Sequence, residues 1–124
     1  MLNILAVGTG GFVGSALRYI IGMIPVSETM VFPIKTFMIN VIGCMVIGII
    51  AVALTKNQSW SPQMVLFLKV GLCGGFTTFS TFALETADLM KGGHVGAALL
   101  YVVLSVLVGV AVIFAVEYAT IKGI

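Results

Sequence analysis

The chain has 124 residues, 60% of them hydrophobic and only 8% charged, with a mean hydropathy of +1.25. A water-soluble domain carries about a quarter charged residues, so this composition excludes that class and leaves an integral membrane protein. The net charge of +2 includes no basic run, which excludes an electrostatic surface for nucleic acid. At about 20 apolar residues per crossing, the length holds four helices and short loops with no aqueous domain. A single four-helix transmembrane domain over 1–124, all-α, is therefore expected. A bundle this small encloses a pathway poorly on its own, which points to an oligomer.

Helix 1 is expected from about Leu2 to Ile24, stopping at Pro25. It has no basic n-region and no cleavage site, so it reads as a retained helix rather than a signal peptide. Its Gly10-x-x-x-Gly14 pair allows another backbone to approach closely. Arg18 lies one turn further on the same face. An arginine within a span snorkels to the surface, ties its helix to a neighbour's carbonyls, or lines an aqueous vestibule.

Helix 2 is expected from Pro33 to Leu54, with proline tolerated at its start. Thr36, Asn40, Cys44 and Gly48 recur every four residues and give one small or polar stripe. The Asn40 amide needs partners at membrane depth, either as glue between helices or as a donor facing an anion. Cys44 and Cys73 fall inside predicted spans without C-x-x-C spacing, and read as small apolar residues. Trp60 is placed as an interfacial anchor in the following loop. Helix 3 starts near Pro62, is interrupted, resumes at about Thr78 and ends near Lys91. Helix 4 runs from about Val95 to Tyr118, with Tyr101, Ser105 and Gly109 spaced by four. His94, in the loop between them, reads as solvated.

Lysine and arginine near span ends set orientation. Lys56, Lys69 and Lys122 lie on one side; Arg18, Lys35 and Lys91 lie on the other. This balance gives no preferred orientation and suits two copies inserted oppositely.

The stretch from Gly71 to Glu85 is the part that hydrophobicity alone does not explain. It carries Gly71, Gly74 and Gly75, then Thr77, Thr78, Ser80 and Thr81, then a carboxylate. Glycine costs about 1 kcal/mol against alanine in a helix, and threonine loses rotamer freedom there. A break in a membrane-crossing helix is expected. Freed backbone groups survive at that depth only inside protein or against a polar cavity, which makes the break a candidate ion site. Beyond it, Thr78, Thr81 and Glu85 share one helical face, with Phe79 and Phe82 on the face beside it. Those rings pack or face lipid, or turn their positive edges to a dehydrated anion. Glu85 is protonated, hydrogen-bonded or neutralised by a cation nearby. As a bare pattern it equally suits a proton-coupled exporter.

Three motifs occur in order: Gly10-Gly11-Phe-Val-Gly14-Ser-Ala-Leu-Arg18-Tyr19, Asn40-Val-Ile-Gly43, and Gly74-Gly75-Phe-Thr77-Thr78-Phe79-Ser80-Thr81-Phe82. With them the chain resembles, over essentially its whole length, the fluoride channel family called Fluc or CrcB. The third motif is the most specific. The resemblance implies an antiparallel, dual-topology homodimer in the inner (plasma) membrane that confers fluoride resistance. Its two fluoride pathways would each draw on both subunits. Asn40 would contact fluoride near the pore entrance, with Phe79 and Phe82 lining the path. Ser80, Thr81, Glu85, Tyr101 and Ser105 would belong to the polar track or its neighbours, and Arg18 to the vestibule. Backbone carbonyls of Gly74 and Thr77 would hold a structural sodium ion (Na+) at the dimer axis. Position 109, a serine in some relatives, is Gly109 here.

Passive conduction suffices for such a task. HF crosses lipid neutral and ionises inside, and a negative-inside potential drives anions out by about 2.3 kcal/mol per 100 mV. The sequence shows no phosphate loop or catalytic cluster, so no enzymatic activity is expected. The main alternative is a small dual-topology proton-coupled multidrug exporter. That class is expected to carry a glutamate in helix 1, where this chain has none. A structural subunit would need no polar stripe.

Overall fold

The computed structural model describes residues 1–123. Four segments are long and apolar enough to cross a membrane: Leu2–Gly22, Ile34–Lys56, Pro62–Lys91 and Val95–Ile121. The first two are the helices α1 and α2. The third contains α3 (Pro62–Val65), a π-helical stretch (Leu66–Cys73), α4 (Gly74–Phe76) and α5 (Phe79–Lys91). The last is α6 (Val95–Ile121).

The boundaries follow local chemistry. α1 ends at Gly22, two residues earlier than expected, because Ile24 precedes Pro25 and such a residue is pushed out of the α region. The Lys35 ammonium closes that end, donating to the Gly22 carbonyl at 2.8 Å. Pro33 is the N-cap of α2 rather than its first residue. Ser61 caps α3 by accepting the Met64 N–H at 3.2 Å, with Pro62 following as a helix-compatible first residue. Both α2 and α6 run past their expected ends, to Lys56 and Ile121.

Lipid removes the hydrophobic drive between helices, so close backbone packing has to hold the bundle. α1 packs along the first half of the third span through glycines on both sides. Gly10 sits against the Phe67 carbonyl and Gly71, and Gly14 against the Leu72 carbonyl. A methyl group on Gly75 would lie 2.7 Å from the Gly11 carbonyl oxygen and 3.0 Å from Gly11 Cα. α2 packs on α6, which also receives α5.

Gly75→Ala should therefore push two backbones apart and cost about 1–3 kcal/mol. Gly8→Ala meets open space in a helix interior and should be neutral or stabilising by up to about 1 kcal/mol. Thermal stability of the purified protein checks the pair: equal melting temperatures for both variants would refute this packing.

Candidate functional site

The third span stops being helical at two residues. Thr77 has φ −82° and ψ 160°, and Thr78 has φ −148° and ψ 117°. Gly74 and Gly75, expected to unwind, are helical instead; Gly75 is spent on α1 and Gly74 is exposed with open space around it. The interruption is thus narrower than the glycine-rich sequence implies.

Most of the polar groups at the interruption can be followed. The Thr77 N–H and hydroxyl both donate to the Cys73 carbonyl, at 3.0 and 2.8 Å. A continuing helix would send the Thr78 N–H to the Gly74 carbonyl. It goes instead to Asn40 Oδ1 at 2.9 Å, while Asn40 Nδ2 donates to the Thr78 carbonyl at 3.1 Å. Asn40 therefore pairs with Thr78 as a neighbouring strand would. Arg18 Nε donates to the Gly75 carbonyl at 3.2 Å, choosing the neighbour's carbonyl among the roles open to it. The Thr78 hydroxyl accepts the Thr81 N–H at 3.2 Å and caps α5. Among the described residues no donor reaches the carbonyls of Gly74, Phe76 and Thr77. Free carbonyl oxygens near the C-terminal end of a helical segment, those of Gly74 and Thr77 among them, suit a hard cation.

One turn beyond, Glu85 accepts two hydroxyls. Thr36 Oγ1 donates to Oε2 at 3.0 Å, and Tyr101 Oη donates to Oε1 at 2.9 Å. Thr36 and Tyr101 are both buried, so the carboxylate joins α2, α5 and α6. Aromatic rings continue the line. Phe79 and Phe82 have centroids 5.8 Å apart, tilted by 51°, and Phe82 meets Tyr101 edge to face at 4.9 Å. Phe32, from the loop before α2, closes on Tyr101 and Phe37 at 5.4 Å each.

Two cavities meet at Thr78. One of about 420 Å³ is lined by Asn40, Thr77, Thr78, Phe79, Phe82 and Ser105, among others. The Ser105 hydroxyl is buried there with no partner among the described residues. The other, about 450 Å³, holds Arg18, Lys35, Thr36, Thr78, Thr81 and Glu85. Ser80 is exposed and lines neither. At position 109 a side chain would meet Cys44 Sγ at 3.2 Å, so the thiol takes up space beside the glycine. Thr36 and Phe32 join the site although the sequence did not single them out for it. Thr36 was signalled by its spacing of four from Asn40. Phe32 had no such signal.

The comparisons with known proteins agree with one another. The model of the family "CrcB-like protein, Camphor Resistance (CrcB)" matches residues 5–116. A protein of Ruminiclostridium cellulolyticum named fluoride-specific ion channel FluC is 45% identical over 107 residues, covering 86% of this chain and 82% of that one. Proteins of the same name from Methylobacillus flagellatus and Chlorobaculum tepidum are 42% and 44% identical. Each covers 92% of this chain, with 91% and 90% of their own lengths aligned. With four membrane-spanning segments and a family match over nearly its whole length, the chain is a multi-pass membrane protein of the CrcB family.

Proposed function

We infer that the chain forms a passive, fluoride-selective channel in the plasma membrane, exporting fluoride that ionises in the cytoplasm. The observation that carries this reading is the extended Thr77–Thr78 pair in mid-span, clamped by Asn40 beside two tilted phenylalanine rings. A channel needs sites that replace water without trapping the ion. Ring edges, hydroxyls and an amide meet that need better than a formal charge. Asn40 keeps one amide hydrogen beyond the one given to Thr78, and the Ser105 hydroxyl is unpartnered; both lie on the cavity that holds the rings. Thr81 and the Thr36–Glu85–Tyr101 cluster continue the track toward the cavity lined by Arg18.

The functional unit is an antiparallel homodimer, which fits the balanced charge at the span ends and the exposure of Phe79 (79%) in a single protomer. The unpartnered carbonyls of Gly74 and Thr77 would then meet their counterparts at the two-fold axis and hold a sodium ion. The ion supplies fixed positive charge at the centre of the dimer. Arg18 holds the Gly75 carbonyl away from that set.

Fluoride-loaded proteoliposomes test the function. Rapid efflux is expected once the potential is shunted, with no proton gradient and little chloride movement. Efflux that requires a proton gradient, or no efflux at all, would reject the channel reading.

A further inference from the structure

The cavity that holds Asn40, Ser105 and the rings has a second end that the track above does not use. Asn40 is level with Thr78, to which it is bonded, and α2 then lines the cavity through Gly43 and Cys44 to Ile47. Seven residues of helix cover about 10 Å, so the cavity extends that far from Thr78 away from Phe82 and Glu85. The third span lines the same stretch through Cys73 back to Lys69.

Lys69 lies about 10 Å along the span from Pro62, within the π-helical stretch. It is half-buried and lines this cavity, in which it is the only formally charged residue; no carboxylate is present. Arg18 and Lys35 each spend a donor on a helix-end carbonyl, whereas the Lys69 ammonium has no hydrogen-bond partner among the described residues. A lone ammonium at this depth is costly unless it borders water or an anion. A low-dielectric wall also focuses its field along the cavity.

We propose that Lys69 forms an anion-recruiting site at the far end of this cavity, drawing a small monovalent anion in before it meets Asn40, Ser105 and the rings. This rests on the channel reading above and deepens it. Thr77 and Cys73 separate Lys69 from Phe79 and Phe82 along the span. The charge therefore concentrates anions at the mouth without fixing one among the rings. Because this end and the Arg18 cavity face opposite sides of the membrane, an antiparallel dimer presents one of each to both sides.

Fluoride conductance of the reconstituted dimer, measured across a range of fluoride concentrations, tests the site. Lys69→Gln should raise the half-saturating concentration about tenfold with a similar maximal conductance, and Lys69→Arg should leave it near wild type. Lys69→Met, which keeps the length of the stem, gives the same shift if the glutamine variant fails to assemble. Unchanged saturation in Lys69→Gln or Lys69→Met overturns the site while the channel reading stands. A wild-type protein that passes no fluoride overturns both.

Discussion

Asn40→Leu is expected to abolish fluoride flux and to weaken the fold, because the Asn40 side chain alone accepts the Thr78 N–H and also bonds the Thr78 carbonyl. Leucine keeps the volume but offers neither a donor nor an acceptor. The Thr78 N–H, bonded at 2.9 Å in the native protein, would be left in a medium with no water to replace the amide, while the Thr78 carbonyl keeps only its bond from within α5. At roughly 1–3 kcal/mol for an unsatisfied buried group, the loss is a sizeable part of a domain's stability. Asn40→Asp retains an acceptor for the Thr78 N–H, so it should assemble better than the leucine variant. It adds a negative charge beside the anion path and should still conduct poorly. Size-exclusion profiles and flux together check both variants. An Asn40→Leu protein with native stability and native flux would show that the clamp is dispensable.

Phe82→Ile should lower fluoride flux by tenfold or more while leaving the dimer assembled. Phe82 stands between Phe79 and Tyr101, with ring centroids at 5.8 and 4.9 Å. Isoleucine fills similar apolar space but has no polarised ring edge to offer a dehydrated anion. Edge contacts between aromatic rings are worth about 0.5–1.5 kcal/mol, and an anion contact of about 1.4 kcal/mol is a factor of ten. The substitution also removes the ring that steadies Tyr101 against Glu85. Phe114→Leu is the matching control, since Phe114 is exposed on α6 and lines none of these cavities. Equal flux in Phe82→Ile and Phe114→Leu would return Phe82 to a packing role.

The spans were legible because lipid imposes a length and an apolar content that the sequence states directly. The Gly10–Gly14 seam was legible for a similar reason, since small residues one turn apart admit only a close neighbour. The exact place of the interruption was not. Glycine propensity pointed at Gly74 and Gly75, yet packing on α1 keeps Gly75 helical, and the Asn40 amide fixes the extended backbone one turn later. The π-helical winding over Leu66–Cys73 left no trace in periodicity, because it depends on how α1 and the third span fit together. Contacts across elements were hidden for the same reason. Thr36, Glu85 and Tyr101 meet only once three helices have settled in register, and Phe32 reaches Tyr101 from a loop.

An experimental structure of the protein in a lipid nanodisc, with sodium and fluoride present, tests the account most directly. Two antiparallel protomers are expected, with the extended Thr77–Thr78 backbone retained in each. Density for one cation should lie between the Gly74 and Thr77 carbonyls of the two chains, and the Phe79 rings should be enclosed by the dimer. Parallel protomers with a continuous third helix, no central density and Phe79 against the acyl chains would contradict it.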